Sequence, residues 1–247
     1  MHNRRRFLDG RGSSVKAVAI IAAAGKGLRL GGPIPKQYQL LQRRPILAHT
    51  LEVFQQCDTI SEIVLVVPKS DVAGIEQSVV KRYRFDKVCR VAAGGAERQD
   101  TVYKGIRAIN GACDVVCIHD GVRPFVTARL IDSCVRTAAA FGAAIVAVPV
   151  KDTIKIASED GCVLRTPERE TLWAAQTPQA FEYNLLLDAY EEAHRSHFVG
   201  TDDASLVERL GVNIVIVQGS SRNLKITTEE DMILAREMMR RAGGRKK

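Results

Sequence analysis

The 247-residue chain contains no Cys-x-x-Cys pair, no Gly-Lys-Ser/Thr triplet, and nothing near the ~18 consecutive apolar residues a membrane-spanning helix requires. These absences argue against a disulfide framework and exclude a Walker-type phosphate loop and a helical membrane anchor. Aromatic residues are scarce as well, at 5% with a single Trp, which leaves little to stack nucleic-acid bases. What is present is ordinary for a globular protein: 46% hydrophobic and 26% charged residues, a balance that excludes disordered, collagenous and disulfide mini-protein architectures. A chain of this length can bury a substantial core, as one large domain or two small ones.

The net charge of +8 suggests a nucleic-acid partner until it is located. Residues 1–16 carry a net +4 and residues 240–247 a net +5, so the body between them stands at −1. A nucleic-acid reader carries its basic residues as a stripe on the folded body, and none is expected here. The expected layout is a basic N-terminal tail over 1–16, a single domain over 17–241 and a basic C-terminal tail over 242–247.

Arg4-Arg5-Arg6-Phe7-Leu8 has the look of a twin-arginine export signal. The apolar run that follows, Ala17 to Ala24, is short and leads straight into a glycine loop that cleavage would destroy, so a basic tail is the better expectation. Cys113, Cys117 and Cys134 lie inside apolar runs, as small buried hydrophobes do. A reduced, cytoplasmic protein follows. His194 and His197, with Glu191 one turn earlier, make at most a weak metal face, and a solvated helix end is the simpler account.

Short apolar runs alternate with helical patterns, the mark of βα units around a mostly parallel sheet. Strands are expected at Ala17–Ala22, Glu62–Val67, Lys87–Val91, Asp114–Ile118, Ala143–Val148 and Val212–Val217. Helices are expected after Pro45, from an Asp71 cap to about Tyr83, after Gly94-Gly95, over Thr127–Phe141 and over Thr228–Arg241. Val150–Trp173 breaks the rhythm: it alternates apolar and polar residues and turns at Glu159-Asp160-Gly161, as an inserted hairpin would. Such an arm has little core of its own, so it packs on a second copy of the chain or lies as a flap on its own.

Three strand ends carry candidate chemistry. Ala23-Ala24-Gly25-Lys26-Gly27-Leu28-Arg29-Leu30 follows the first strand; Leu30 stands where a dinucleotide fingerprint needs its third glycine. With Pro35-Lys36 close behind, the loop sets two cations, Arg29 and Lys36, around a glycine cradle suited to a triphosphate. A tight turn with surface cations is the alternative. Gly94-Gly95-Ala96-Glu97-Arg98 with Thr101 opens a helix, either to face a base or simply to start it. Asp120, in His119-Asp120-Gly121-Val122-Arg123-Pro124, is placed to hold magnesium beside phosphates or to cap a turn.

The order of motifs is more specific than any one of them. Gly-x-Gly-x-Arg with Pro-Lys, Gly-Gly-x-Glu-Arg, His-Asp-x-x-Arg-Pro, Asp-Thr-Ile-Lys (152–155), Thr-Pro-Gln (177–179), Thr-Asp-Asp-Ala (201–204) and Asn-Leu-Lys-Ile-Thr (223–227) follow one another. This series resembles the 2-C-methyl-D-erythritol 4-phosphate cytidylyltransferase family of the non-mevalonate isoprenoid pathway, over about residues 15–241. The resemblance implies an α/β fold, a Rossmann-like mostly parallel sheet of the nucleotide-diphospho-sugar transferase type, with a β-arm that builds a homodimer. It implies transfer of CMP from CTP to the polyol phosphate, with release of pyrophosphate and with magnesium (or another divalent cation) as cofactor.

By match to the family's motifs, Arg29, Lys36 and Lys225 are the catalytic cations. Ala23, Ala24, Gly25, Gly27, Gly95 and Thr101 bind the nucleotide, and Asp120 lies near the metal. Thr153, Arg169, Thr201 and Arg123 match the sugar-phosphate side, where arm residues can come from the other subunit. Two departures stand out: Ala96 and Arg222 occupy positions where some relatives carry an acid, which leaves Asp120 to work more alone. The alternatives are a ribitol-5-phosphate cytidylyltransferase with the same CTP loops, a non-catalytic CTP-binding regulator, and a nicotinamide dehydrogenase. The missing third glycine speaks against the last.

Overall fold

Val15 and Lys16 lead into β1 (Ala17–Ala22), and the Lys16 ammonium meets Glu62 at 2.8 Å while its N–H donates to Asp114 at 2.7 Å. The computed structural model describes residues 15–25 and 34–243. Lys16 is therefore part of the folded body, which shortens the expected tail, whose remaining residues 1–14 lie outside the described residues. The chain continues through a 3-10 turn at Lys36–Tyr38, a small hairpin of β2 (Leu40–Leu41) and β3 (Arg44–Pro45), and α1 (Ile46–Gln56). Next come β4 (Ile60–Val67) and α2 (Val72–Ile75), which widens into a π-helical stretch at Glu76–Lys81. Asp71 precedes this helix without capping it through its side chain.

β5 (Val88–Ala93), α3 (Arg98–Arg107), β6 (Val115–Asp120), α4 (Ala128–Phe141) and β7 (Ala143–Pro149) follow in strict alternation. Thr127 caps α4, accepting from the Leu130 N–H at 3.2 Å. The arm is a two-stranded ribbon of β8 (Ile156–Ala157) and β9 (Val163–Arg165), closed by Gly161 at φ +84°. The chain then returns as β10 (Trp173–Glu182), α5 (Tyr183–Arg195), α6 (Asp203–Glu208), β11 (Val215–Gln218) and α7 (Glu229–Gly243). α7 runs past the expected end at 241, so Ala242 and Gly243 belong to the helix, not to a tail.

Among the described residues seven strands form the sheet in the order β11-β7-β10-β6-β1-β4-β5. All neighbouring pairs are parallel except those of β10, which runs antiparallel between β6 and β7. Alternate residues of each strand face opposite layers, as the pleat requires. Ala19, Ile21, Leu65 and Cys117 pack under α1 and α4, whereas Val18, Ile20, Val64 and Val116 pack under α3, α5 and α6. A third cluster seats α7 through Met232 and Ala235 on Leu41, Ile46, Val122 and Ile226. Among the described residues no helix is long and apolar enough to cross a membrane.

Register decides where function can sit. Ala22 pairs with Asp120 on one side of β1 and with Val66 on the other, so three strands end at one level. Their carboxyl ends open into the same space, where open α/β sheets collect ligands.

Candidate active site

That space is a cleft of about 550 Å³ lined by Ala22, Ala23, Ala24 and Gly25 after β1, and by Lys36 and Gln37 on the 3-10 turn. Gly95, Ala96, Glu97, Arg98 and Thr101 at the start of α3, Asp120 and Val122 after β6, and Lys225 before α7 complete it. The sequence-derived candidates Ala23, Ala24, Gly25, Lys36, Gly95, Thr101, Asp120 and Lys225 thus converge from five separated segments. Gly27 and Arg29 lie outside the described residues.

The two loops beside β1 meet very closely. A Cβ on Gly94 would stand 2.3 Å from the Ala24 Cβ, so only glycine lets the loop after β5 close against the loop after β1. The Gly95 N–H donates to Thr101 Oγ1 at 3.2 Å, and the Asp100 carboxylate accepts from the Glu97 N–H at 3.3 Å. The start of α3 is thereby folded back on itself as a shallow wall of small groups. Across the cleft, the buried Gln37 amide donates to the Ala23 carbonyl at 3.0 Å and to the Gly25 carbonyl at 3.2 Å.

Asp120 forms the floor, with its side chain only 8% exposed. Among the described residues three cations surround it: Lys225 Nζ at 3.0 Å, Arg123 Nε at 3.3 Å and Arg98 Nε at 3.4 Å. Burial works against the carboxylate, but Arg98, Lys225 and Arg123 outweigh it and hold its pKa well below the usual carboxylate range. Its backbone N–H donates to Thr177 Oγ1 at 3.1 Å. Lys225 is set in place by the backbone, because the Ile226 N–H donates to the Val122 carbonyl at 2.9 Å. Arg123 lies behind Asp120 rather than on the cleft surface and also donates to the Asn223 carbonyl at 2.8 Å. Burial lowers its pKa against the pull of Asp120.

Arg98 and Asp203 carry no role in the sequence reading, and both prove central. Arg98 forms a bidentate pair with Asp203, at 2.9 and 2.7 Å, and the Tyr190 hydroxyl donates to the same carboxylate at 2.5 Å. Burial opposes the charge on Arg98, yet Asp203 and Asp120 together raise its pKa. Both residues stand inside motifs quoted above, Gly-Gly-x-Glu-Arg and Thr-Asp-Asp-Ala. The available signal was that two polar runs at element junctions must satisfy one another if both are buried. Gln37 had no such signal.

The remaining candidates stand apart from the cleft in a single chain. Thr153 and Arg169 lie exposed on the arm, where Arg169 donates to the Lys151 carbonyl at 3.4 Å. Thr201 is exposed next to Asp202, which caps α6 by accepting from the Ser205 N–H at 2.9 Å. His197 follows the end of α5 at φ +52°, and no cluster of metal-ligating side chains occurs among the described residues.

Comparison with known proteins agrees with this architecture. The chain is 52% identical over 220 residues to the 2-C-methyl-D-erythritol 4-phosphate cytidylyltransferase of Geobacter metallireducens, covering 88% of this chain and 94% of that one. It is 46% identical over 225 residues to the protein of the same name from Alkaliphilus oremlandii, covering 91% and 95%. The crystal structure of the 4-diphosphocytidyl-2C-methyl-D-erythritol synthase of Anaerococcus prevotii superposes with a TM-score of 0.82 at 33% identity, covering 92% of this chain and 96% of that one. Residues 17–241 match the family model described as 2-C-methyl-D-erythritol 4-phosphate cytidylyltransferase, and with the cleft and the nucleotidyltransferase-type sheet in place, the chain belongs to that family.

Proposed function

We propose that this chain transfers CMP from CTP to 2-C-methyl-D-erythritol 4-phosphate, giving the cytidine-diphospho product and pyrophosphate. The observation that carries this reading is the convergence of Lys36, Lys225 and Asp120 on a cleft otherwise lined largely by backbone and small residues after β1 and at the start of α3. A phosphate oxygen of the acceptor attacks the α-phosphorus of CTP. The new P–O bond forms as the bond to the bridging oxygen of pyrophosphate breaks in line, and the leaving group carries the charge away. The attacking phosphate is already ionised, so no base is required; positioning and charge neutralisation do the catalysis.

Lys36 and Lys225, with Arg29, neutralise the triphosphate and the charge that grows on the leaving group. Gly95 and Thr101 receive the cytidine, and Ala23, Ala24, Gly25 and Gly27 bind the nucleotide as well. Thr201, with Thr153 and Arg169 from an arm, binds the acceptor, while Arg123 acts from behind Asp120. Magnesium, as a hard cation, would be held mainly by the substrate phosphates, with the Asp120 carboxylate as its protein ligand on the side that Lys225 gives up, and it would supply further charge neutralisation. The arm leaves Ile154, Val163, Leu164 and Trp173 exposed, which supports its packing on a second copy and the formation of a homodimer. Our reading is a cytoplasmic reaction with no nucleic acid or membrane as partner.

The test is pyrophosphate release by the purified chain with Mg²⁺ and CTP, comparing methylerythritol phosphate with ribitol 5-phosphate. Release with the first alone is expected. Release with ribitol phosphate alone moves the chain to another acceptor, and CTP binding without turnover makes it a regulator.

A further inference from the structure

We propose that Arg98 is a positioning residue: a counter-cation locked by Asp203 that keeps Asp120 balanced while Lys225 turns from it to the nucleotide. The proposal rests on the CTP reaction stated above.

Of the three cations around Asp120, two are fastened elsewhere. Arg98 is gripped by both oxygens of Asp203, a residue 105 positions away with no side-chain exposure, at 2.9 and 2.7 Å. Asp203 is itself fixed by the hydroxyl of Tyr190, only 2% exposed and nearly parallel to Tyr103 with ring centroids 6.0 Å apart. Arg123 is tied to the Asn223 carbonyl at 2.8 Å, and the Asn223 amide donates in turn to the Thr177 carbonyl at 2.8 Å. Lys225 differs: its side chain is 38% exposed and lines the cleft on a flexible four-carbon stem.

A polyanion entering the cleft competes with Asp120 for this ammonium, and charge-assisted bonds to phosphate are the stronger attraction. Removing one partner from a buried carboxylate is costly when nothing else balances it. Here Arg98 and Arg123 remain, so Lys225 can leave. Without Arg98, Asp120 retains Lys225 more tightly and withholds it from the transition state. The bidentate grip of Asp203 also explains why Arg98 does not itself swing into the cleft.

A simpler role for Arg98, stapling α6 to α3, predicts a different pattern, and a double-mutant cycle on pyrophosphate release separates the two. Arg98→Met is expected to lower kcat about tenfold or more, with the KM for CTP within about threefold. In a Lys225→Gln background the same change is expected to cost no more than about threefold, because no lysine is left to be withheld. Arg98→Lys should recover part of the loss. Arg98→Gln, which removes the charge but keeps a polar group facing Asp203, should show the same dependence on Lys225, and it reads the cycle if Arg98→Met does not fold. Equal losses in both backgrounds overturn the proposal while leaving the reaction intact. Absence of turnover by the wild-type chain overturns the reaction first, and the proposal with it.

Discussion

Gln37 reaches back to Ala23, donating to its carbonyl at 3.0 Å, and forks to Gly25 at 3.2 Å. One buried amide thus clamps the chain where it leaves β1 for the glycine loop, and it does so from the residue next to Lys36. The path of the chain at Ala23–Gly25 and the placement of the lysine are mechanically joined. Gln37→Leu keeps the volume and removes both bonds, each worth about 1 kcal/mol or more when a buried carbonyl is left without a donor. The KM for CTP is expected to rise about 5- to 50-fold with kcat changed less; an unaltered KM would remove the clamp from the binding machinery.

Lys36 itself lines the cleft. Lys36→Ala should cost about 10²-fold or more in turnover, the scale of losing a major charge donor to the transition state. Steady-state pyrophosphate release measures it, and a variant within a few-fold of wild type takes Lys36 out of the catalytic set.

His119 is fully buried beside Asp120, its ring 5.0 Å from that of Phe54, and its Nε2 lies 3.2 Å from the Arg123 carbonyl. Burial pushes its pKa down to about 4, against the opposing pull of Asp120. The unfolded chain therefore takes up this proton first as pH falls. Stability present above about pH 6.5 is lost progressively towards pH 4, by about 3 kcal/mol from this one group. Urea unfolding of wild type and His119→Phe at pH 7 and pH 4.5 isolates it: the gap between the two should move in favour of the variant at the lower pH.

Gly105 marks where α3 lies hardest against the sheet. A Cβ there would stand 2.7 Å from Ile20 Cγ2 and 3.1 Å from Val66 Cγ2, both on fully buried strand residues. Alanine would gain about 1 kcal/mol of helix propensity and lose about 1–3 kcal/mol to overpacking. Gly105→Ala should therefore lower Tm by up to about 8 °C, and a rise in Tm would show that the layer can yield.

On the arm, Val163 and Leu164 are 61% and 65% exposed. Replacing both with Asp should convert a dimer to a monomer in light scattering and raise the KM for the acceptor. A monomeric wild-type chain would make the arm a surface flap.

The parallel strands were readable because each is an apolar run bounded by turn residues, and β1, β4, β6 and β7 begin or end within about two residues of expectation. β10 was not readable. Its sequence, Trp-Ala-Ala-Gln-Thr-Pro-Gln-Ala-Phe-Glu, places a proline and four polar residues in a central strand, where propensity disfavours them. Tertiary contacts supply the answer: Pro178 falls where the register shifts between Ala175 and Gln179, and Gln176, Thr177 and Gln179 bond to Ser220, Asp120 and Asp202. The site shows the same division. Lys36, Asp120 and Lys225 were visible as chemistry at strand ends, whereas Arg98 and Asp203 gain meaning only from each other, across a distance in sequence that no local pattern spans.

The arm leaves the sheet at Pro149 and re-enters it at Trp173, and these two residues are paired neighbours, with the Val150 N–H bonded to the Leu172 carbonyl at 3.0 Å just beyond them. The excursion is shut at its base before it begins. Lengthening, shortening or exchanging what lies between therefore alters no register in the sheet, and the closure entropy of a longer insert grows only slowly with its length. The fold carries a natural splice point here. Lineages can redraw the arm, and engineers can graft a new module, while the floor of the cleft stays untouched.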